Sequence, residues 1–378
     1  MPHIGIIRSA SSSVSRSQYN IQEIGLAKEL SKLGMKVDVF LISDKNETYK
    51  ETINDAVDIY WLKGIKIPGQ QGYYKDLKKI LDENKYDLIQ ALDDSQITTV
   101  LVSSYCKKRN IKFVLWQGMY ENYPEKYKRI IQYVYDFTLL KILRKNTKYC
   151  IAKTTSARKY LEKKFFRNIN VIPVGLELSN FQGETRVDYR KQLNIPSEKK
   201  ILLYVGKVEE RRKPLFCMDV YSKVRESYKN CCLVYVGSGP MLDEVHTYVE
   251  NKRIEDVYFL DRIPQNELPD LYKESSLFIL PTRYEIFGMV LMEAMYFESP
   301  VITYCAAGPI DVIDNNVDGI VMNNFCVDEW AFQIVKHLEA SDCLKMGKLG
   351  NRKITDKYLW PSVANEFYAK YIEIIENN

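Results

Sequence analysis

Short apolar runs alternate with helical stretches from one end of the chain to the other, and this alternation limits the fold more than any other feature. Runs that are apolar throughout are typical of strands buried on both faces, and strands that alternate with helices lie parallel in a sheet. The sequence therefore predicts an α/β protein with two doubly wound, Rossmann-like domains. The predicted strands are 4–7, 37–42, 57–62, 88–92, 112–116, 149–152 and 171–174 in the first half, and 201–205, 232–236, 257–260, 277–280, 301–304 and 319–322 in the second.

A polar stretch at residues 179–200 separates the two halves of the chain. A length of 378 residues favours two domains, each with its own core. We place an N-terminal domain at 1–180 and a C-terminal domain at 181–360. Residues 361–378 show helical spacing of apolar side chains, and this helix is a candidate to pack back on the first domain.

The composition excludes several classes of protein. Hydrophobic residues make up 46% of the chain and charged residues 27%, which is typical of a soluble globular protein and not of a disordered one. The first residues, M-P-H-I-G-I-I-R-S, lack the features of a secretory signal, and no apolar run approaches the roughly 18 residues of a spanning helix. We therefore expect a cytoplasmic protein.

The residue types that bind metals do not occur in the spacings that metal sites use. The eight cysteines form no C-x-x-C, and none of the three histidines is spaced with another histidine or with a cysteine as ligands would be. The sequence also contains no D-x-D. We therefore expect a metal-independent mechanism with no cofactor.

Positive charge is concentrated between residues 125 and 167. This segment has 13 Lys and Arg against three acidic residues, a local charge of +10, whereas the complete chain has a net charge of +5. Such a block indicates an anionic ligand or surface. Within it, residues 130–143 are apolar and aromatic with basic flanks, which fits an interfacial helix on an anionic membrane or, alternatively, a core-packed helix with its charges in water.

The segment 282–294, T-R-Y-E-I-F-G-M-V-L-M-E-A, follows a short apolar strand and opens a helix at Gly288. The first N–H groups of a helix have no internal partner and form a seat for phosphate. Glu285 lies just before that seat and Glu293 lies inside the helix, so one carboxylate can bind sugar hydroxyls and the other a ribose. A diphosphate between two polyols describes a nucleotide sugar. The alternative is an ordinary strand-to-helix junction with two solvated glutamates.

Other strand-to-helix junctions of the second half carry unusual residues. Gly206 ends a strand and permits close backbone approach, while the cations that follow it are candidates to neutralise a diphosphate, unless they are a solvated basic loop. The G-S-G of 235–241 lacks the third glycine of a dinucleotide fingerprint, so a tight turn is the safer interpretation. The backbone of Arg262 and Ile263 is a candidate to contact the edge of a nucleobase. Because these loops follow strands of one predicted sheet, we expect them to converge on one rim together with A-A-G-P at 306–309.

Two loops of the first half are candidates for the acceptor side. Residues 9–17, S-A-S-S-S-V-S-R-S, link the first strand to a helix, and Arg16 with the serines can donate to phosphate or to acceptor hydroxyls. A flexible serine-rich loop is the equal alternative. Gln117 and Tyr120 follow the strand 112–116 and offer polar groups on that side.

The second half of the chain resembles a known family. Residues 203–322 resemble the retaining glycosyltransferases of family four, which have the GT-B fold, in the segments L-Y-V-G-K, L-V-Y-V-G-S-G-P, S-P-V-I and G-I-V-M. The family's E-x-F-G-x-x-x-x-E-A-M is matched residue for residue by 285–295, and V-I-P-V-G-L-E at 171–177 is a weaker match. The resemblance implies two Rossmann-like domains that face each other across a cleft.

The resemblance also implies roles for individual residues. Glu285 would bind hydroxyls of the donor sugar and Glu293 would hold the ribose. Lys213 and Lys207 would bind the diphosphate, with Lys207 standing where arginine is commoner, which keeps the charge and loses the bidentate geometry. Backbone amides near the start of the helix would meet the diphosphate, and these belong to Phe287, Gly288, Met289 and Val290.

Three positions depart from the family's pattern. The first loop lacks the usual G-G, and Gln117 stands where a histidine is often found, so the handling of the acceptor is in doubt. Glu298 stands where a glycine normally precedes x-P-V, which concerns packing only.

The resemblance implies a retaining, metal-independent glycosyltransferase of the hexosyltransferase type. It would move a sugar from a nucleotide-sugar donor, with a UDP-sugar favoured, to a hydroxyl of a glycan or lipid-linked acceptor in surface polysaccharide or glycoconjugate biosynthesis. We expect it in the cytoplasm, with peripheral attachment to the membrane through 125–167 left open, and with no nucleic-acid partner. Two alternatives also stay open: a GT-B epimerase or sugar synthase on a soluble substrate, and a non-catalytic scaffold that binds nucleotide sugars.

Overall fold

The computed structural model describes residues 1–9, 21–45, 47–67, 71–122, 126–182, 187–340 and 343–377. The chain divides into two compact units. The first unit comprises Met1–Glu177 and Tyr358–Asn378, and the second comprises Leu178–Lys357. Each unit contains one main sheet whose strands are joined mostly by helices.

The strands of the first unit, within the described residues, are β1 (His3–Ile7), β2 (Lys36–Ile42), β3 (Tyr49–Asn54), β4 (Val57–Leu62), β5 (Gly64–Ile67), β6 (Gln71–Tyr74), β7 (Leu88–Leu92), β8 (Lys112–Gln117), β9 (Tyr149–Ala152) and β10 (Ile169–Val171). Its helices are α1 (Gln22–Lys32), α2 (Leu77–Glu83), α3 (Ile97–Arg109), α4 (Lys126–Phe137), α5 (Leu139–Asn146), α6 (Thr155–Lys163) and, at the end of the chain, α15 (Trp360–Glu376).

The described strands of the second unit are β11 (Lys200–Val205), β12 (Cys231–Val236), β13 (Val257–Leu260), β14 (Ser275–Leu280), β15 (Val301–Tyr304) and β16 (Ile320–Met322). Its helices are α7 (Tyr189–Gln192), α8 (Pro214–Ser227), α9 (Leu242–Lys252), α10 (Leu268–Glu274), α11 (Met289–Tyr296), α12 (Ala307–Val312), α13 (Val327–Glu339) and α14 (Cys343–Lys357).

The main sheet of the first unit has the strand order β10-β9-β8-β7-β1-β2-β4-β3. Its neighbouring strands are parallel except for β3, which runs antiparallel to β4 at one edge. The chain order of the parallel strands reverses between β1 and β7. In an open α/β sheet this reversal point is where ligands bind, beyond the carboxyl ends of the strands.

The sheet of the second unit has the order β13-β12-β11-β14-β15-β16, and all of its neighbouring pairs are parallel. This is the 3-2-1-4-5-6 order of a Rossmann sheet, with its reversal between β11 and β14. Every position of β12 is buried, as is all but one position of β14. Burial on both faces explains why these strands are continuous apolar runs in the sequence.

The predicted strands are confirmed with small differences at their ends, except for the strand at 171–174, which is wrong. The corresponding strand is Ile169–Val171, and it pairs with β9. Pro173 lacks the N–H that a ladder position requires, so the pairing stops before it. Three strands, β3, β5 and β6, were not predicted. Strand β3, Y-K-E-T-I-N, alternates between partly buried and exposed positions at the sheet edge, so its polar sequence gives no signal of a buried strand.

The last helix, α15, packs within the first unit against α1. The ring of Trp360, which is 2% exposed, occupies the space where a Cβ on Gly25 or Gly175 would lie. Tyr371 Oη donates to Gln90 Oε1 at 2.7 Å, which joins the helix to strand β7. The end of the chain is therefore part of the core of the first unit.

Candidate functional site

Two loops meet at the reversal point of the second sheet. Strands β11 and β14 are parallel neighbours, so the loops 206–213 and 281–288 leave the same edge of the sheet. Backbone contacts join them: Arg283 N donates to the carbonyl oxygen of Arg211 at 3.0 Å. Arg211 Nη1 also donates to the carbonyl oxygen of Tyr284 at 2.8 Å. The two loops therefore form one surface.

Glycines allow the neighbouring backbone to approach this surface closely. Gly237 has φ 146°, and a Cβ there would overlap the carbonyl oxygen of Gly206. A Cβ on Gly308 would overlap the backbone of Phe287, and Gly308 N donates to the carbonyl oxygen of Glu285 at 3.2 Å. The loops after β12 and β15 thus support the loops after β11 and β14.

A partly buried ion pair lies where the two loops meet. Arg212 Nη2 is 3.5 Å from Glu285 Oε2, and each side chain is 12% exposed. The guanidinium also lies beside Gly206, since a Cβ on that glycine would be 3.3 Å from Arg212 Nη1. The structure therefore places a guanidinium and a carboxylate at the carboxyl edge of the sheet. The sequence analysis included Arg212 only as one of the cations after Gly206 that are candidates to neutralise a diphosphate, and it did not single this residue out.

The two predicted phosphate-binding lysines have other contacts. Lys207 is exposed, and its Nζ lies 3.2 Å from Glu209 Oε2. Burial acts to raise the pKa of Glu209, but Arg211 and Lys207 outweigh it and hold this pKa below its usual value. Lys213 has φ 52° at the start of α8, and its Nζ lies 5.3 Å from the centre of the Phe325 ring. The roles assigned to both lysines stay predictions.

Glu293 is buried inside α11. Its side chain is 2% exposed, and Oε2 accepts a hydrogen bond of 2.9 Å from the hydroxyl of Tyr272 on α10. Burial raises the pKa of Glu293 to about 7, although the hydrogen bond from Tyr272 acts in the opposite direction. The alternative of a solvated glutamate is therefore excluded for Glu293, and this carboxyl group is partly protonated at neutral pH.

The helix that carries Glu293 begins at the predicted position. Gly288 has φ 90° and ψ 57° and caps the helix, whose first residue is Met289. The carbonyl oxygen of Gly288 accepts from the N–H groups of Leu291 and Met292, at 2.9 and 3.1 Å. By helix geometry, the first N–H groups of α11 have no partner within the helix. Phe287 precedes the cap and is 2% exposed, so it anchors the loop.

The chain is similar in sequence to known glycosyltransferases. Residues 185–352 match the family model described as glycosyl transferases group 1. An uncharacterized glycosyltransferase of Methanocaldococcus jannaschii is 24% identical over 367 residues, which cover 92% of each chain. The D-inositol 3-phosphate glycosyltransferase of Segniliparus rotundus is 24% identical over 212 residues, covering 54% of this chain and 47% of the relative.

Solved structures share the fold over the complete chain. Sucrose-phosphate synthase from Thermosynechococcus elongatus has a TM-score of 0.79 at 19% identity and covers 100% of both chains. The Anabaena protein Alr3699/HepE, solved in complex with UDP and glucose, has a TM-score of 0.75 at 14% identity, covering 99% of this chain and 100% of its own. The comparisons support a GT-B glycosyltransferase. The predicted GT-B fold is confirmed.

A third loop of the second unit, which follows β13, begins beside the glycine-rich turn. Gly237 N donates to the carbonyl oxygen of Leu260 at 3.0 Å, and the loop that follows β13 contains Arg262 and Ile263. Arg262 is exposed and Ile263 is half-buried. Their assignment to the nucleobase stays a prediction.

In the first unit, Gln117 is buried and holds a loop together. Its Nε2 donates to Asp94 Oδ1 and to the carbonyl oxygen of Met119, both at 3.0 Å. Its Oε1 accepts from Asp94 N at 2.9 Å. Both the nitrogen and the oxygen of the Gln117 amide are therefore hydrogen-bonded within the protein. Tyr120 is half-buried, and Arg16 lies outside the described residues, so the acceptor-side assignments stay predictions.

A lysine that the sequence analysis did not single out lies at the same edge of the first sheet. Lys153 follows β9 and is 7% exposed. Its Nζ lies 2.9 Å from Gln22 Oε1 and 4.2 Å from the Trp116 ring centre. Burial lowers its pKa, while Glu23 and Asp93 act to raise it. A lysine directly after a buried apolar strand was the available signal in the sequence.

The described residues contain no group of three His, Cys, Asp or Glu side chains arranged to hold a metal ion. None of the described helices combines the length and the apolar character that crossing a membrane requires.

Proposed function

We propose that this chain is a retaining glycosyltransferase of family four that transfers a hexosyl group from a nucleotide sugar to a hydroxyl group. The observation that carries the proposal is the Arg212–Glu285 pair at the reversal point of the second sheet, beside the N-terminus of α11. A guanidinium fits a diphosphate, and a helix N-terminus fits an anion. A carboxylate fits sugar hydroxyls, which is the role we propose for Glu285. The second glutamate of the E-x7-E motif (two glutamates with seven residues between them) is Glu293, which lies within α11 and is the candidate for the ribose.

Charge stabilisation is the main task of the site in this proposal. As the bond to the sugar breaks, negative charge develops on the departing diphosphate. Arg212, Lys213 and Lys207 stabilise that charge, while Glu285 positions the sugar through its hydroxyls. The acceptor hydroxyl attacks from the leaving-group face and gives its proton to the donor phosphate, so the configuration at the sugar carbon is retained. Protein cations supply the neutralisation, and we propose that no metal ion or cofactor takes part.

We propose a UDP-sugar as the donor, in line with the UDP bound in the structure of the Anabaena protein. The acceptor is a glycan or a lipid-linked saccharide, with Arg16, Gln117 and Tyr120 as candidate residues on its side. The reaction belongs to surface polysaccharide or glycoconjugate biosynthesis at the cytoplasmic face of a membrane. The +10 charge of the segment 125–167 supports this location, because cytoplasmic leaflets carry anionic lipids.

The first test is a thermal-shift panel of UDP, GDP, ADP, CMP and their common sugar conjugates, without added metal. A ligand at about 100 times its dissociation constant adds roughly 2.7 kcal/mol, which moves a domain of this size by several degrees. We expect a shift with uridine nucleotides that is lost in Glu293→Ala. If no nucleotide shifted the melting temperature, this would contradict a donor site that forms without the acceptor.

The second test is activity. We expect Glu285→Gln to lower kcat/KM at least roughly tenfold, which corresponds to about 1.4 kcal/mol of transition-state stabilisation. Product analysis separates the remaining possibilities: an epimerised nucleotide sugar identifies an epimerase, and a soluble disaccharide identifies a sugar synthase. Nucleotide binding without turnover on any acceptor identifies a scaffold.

A further inference from the structure

Helix α4 packs against the first unit with its polar side. Gln132 is 5% exposed, and its Nε2 donates to Tyr160 Oη at 3.1 Å. Asp136 Oδ1 lies 3.3 Å from Lys164 Nζ. The hydroxyl of Tyr135 donates to two backbone carbonyl oxygens, at 2.9 and 3.1 Å. The inward face of this helix is therefore held by hydrogen bonds and an ion pair.

The apolar side of α4 points away from the protein. Ile130, Tyr133, Val134 and Phe137 recur at the i, i+3, i+4, i+7 spacing of one helix face, and their exposed fractions are 67%, 76%, 58% and 65%. A helix on the surface of a soluble protein buries such a stripe and exposes its polar side. In α4 the polar side faces the protein and the apolar side faces outward. An exposed apolar stripe of this kind indicates that an apolar binding partner covers it.

Cations surround the apolar stripe. Lys141 Nζ lies 3.8 Å from the centre of the Phe137 ring, and the Arg144 guanidinium lies 5.6 Å from the ring centre of Phe165. Phe165 is itself 67% exposed, so the apolar patch continues from α4 over α5 to this residue. Further exposed cations on this segment are Arg129, Lys145 and Lys148.

The two described acidic residues of the segment are already engaged. Asp136 pairs with Lys164, and Glu162 Oε1 lies 2.9 Å from Arg158 Nε. The exposed Lys and Arg side chains around the apolar stripe therefore give this surface a net positive charge. A two-fold contact with a second copy would bring these cations face to face, because such a contact uses the same patch on both copies. An anionic surface with an apolar layer beneath it fits both the exposed apolar stripe and the cations that surround it.

We propose that α4 and α5 dock the protein on an anionic lipid bilayer. Ile130, Tyr133, Val134 and Phe137 lie among the upper acyl chains, while Lys141, Arg144 and Lys145 contact the headgroup phosphates. A helix that lies in the interface in this way buries its apolar face about 5–10 Å deep and draws further attraction from each basic residue. This inference specifies the contact for the membrane location proposed above, and it does not depend on the identity of the donor.

The test is flotation of the full chain with vesicles of phosphatidylcholine alone and of phosphatidylcholine with phosphatidylglycerol. We expect binding to the anionic vesicles that weakens as salt is raised. Tyr133→Ser with Phe137→Ser should lower the partition coefficient at least about tenfold at low salt, because two large apolar side chains lose their burial. Charge reversal at Lys141, Arg144 and Lys145 should remove the preference for anionic vesicles.

Matched variants test whether the position matters. Phe332→Ser removes an equally exposed phenylalanine from α13 of the second unit, and Lys107→Glu with Lys108→Glu reverses exposed cations on α3. Both controls should bind vesicles as the parent protein does. Lipids brominated on their acyl chains should quench a tryptophan placed by Phe137→Trp and leave one placed by Phe332→Trp unaffected.

Four results would overturn the inference. The first two are equal vesicle binding by the stripe variant and its control, and vesicle binding that does not depend on lipid charge. The other two are a dimer in sedimentation that Phe137→Ser dissociates, and an acidic protein that binds the patch while vesicles do not. The nucleotide-induced thermal shift is measured on the same variants. If no variant or parent protein shows that shift while vesicle binding follows the expected pattern, the donor-site proposal fails and the membrane contact stands.

Discussion

The ion pair between Arg212 and Glu285 fixes the positions of two charged side chains at the reversal point of the second sheet. The two groups are 3.5 Å apart and mostly shielded from water, so each holds the other in place before a ligand arrives. A diphosphate oxygen can share the guanidinium with the carboxylate, because a guanidinium presents several donors in a plane. Lys207, by contrast, is exposed and pairs with Glu209, so its charge is already partly neutralised.

This difference predicts the ranking of two variants. Arg212→Ala should lower kcat/KM at least about tenfold, since it removes a mostly buried cation from the developing negative charge. Lys207→Ala should lower it less. Steady-state kinetics with the donor found in the thermal-shift panel measures both. A larger loss in Lys207→Ala would show that the loop rearranges when the donor binds and would contradict the assignment of Arg212.

The sequence predicted this basic loop but did not predict which cation faces Glu285. Arg211, Arg212 and Lys213 are consecutive, and a spacing argument cannot tell them apart. The choice is made by a 3-10 turn over Glu210–Arg212 and by the left-handed backbone of Lys213, which has φ 52°. Both depend on how the loop packs against its neighbours, which periodicity and composition do not contain.

Glu293 predicts a pH dependence of stability. Its pKa is about 7 in the folded protein against an ordinary value of 4.5, because the carboxyl group is buried. The folded state therefore binds the proton more strongly, and this contribution to stability is complete below pH 4.5 and is lost as the pH rises through 7. The full difference corresponds to about 3 kcal/mol.

The variant Glu293→Gln removes this titration. Without nucleotide, the melting temperature of the parent protein should fall more between pH 5 and pH 8 than that of the variant, and the variant should be the more stable of the two at pH 8. Differential scanning calorimetry at both pH values measures this. Parallel pH profiles for the two proteins would mean that Glu293 does not titrate in this range.

At the scale of elements, the site depends on close contact between neighbouring strand-to-helix loops. The start of α12 supports the loop that carries Glu285, since Gly308 lies where any side chain would overlap the backbone of Phe287. The sequence predicted that A-A-G-P at 306–309 would lie beside the E-x7-E loop, because the carboxyl ends of parallel strands share an edge. It did not predict the backbone hydrogen bond from Gly308 to Glu285, which requires the observed approach.

Gly308→Ala should therefore displace the Glu285 loop. We expect a loss of donor affinity of at least about tenfold and a destabilisation of roughly 1–3 kcal/mol, because a side chain is forced into a packed contact. Gly34→Ala is the control for stability alone. Gly34 has φ 88° with open space around it, so alanine there costs about 1 kcal/mol of backbone strain. Nucleotide titration of both variants is the measurement, and equal affinities would contradict the supporting role of Gly308.

The same scale shows where sequence patterns fail. The continuous apolar strands of both main sheets were predicted because burial on two faces leaves a direct trace in composition. The edge strand β3 and the pair β5 and β6 were missed, since polar or short strands carry no such trace. Helix α4 was left with two interpretations, because its amphipathic pattern does not reveal which side faces the protein.

At the scale of the molecule, each unit has its own sheet and its own large buried aromatic residues. The terminal helix α15 completes the first unit, and Trp360 is its anchor against α1 and the segment around Gly175. Trp330 on α13 has the corresponding place in the second unit: it is 0% exposed, and its Nε1 donates to the carbonyl oxygen of Asn324 at 2.8 Å. These two tryptophans allow one unit to be destabilised at a time.

Trp360→Ala should cost about 3–5 kcal/mol, the usual range for removing a buried tryptophan, and the loss should be confined to the first unit. Hydrogen exchange read by mass spectrometry should show lower protection in peptides from Met1–Glu177 and unchanged protection in those from Leu178–Lys357. Trp330→Ala should give the reverse pattern and should also weaken the nucleotide-induced shift, because the proposed donor residues lie in the second unit. If Trp360→Ala lowered protection equally in both units, the two would unfold as one cooperative body, and the donor site would depend on the terminal helix as much as on its own sheet.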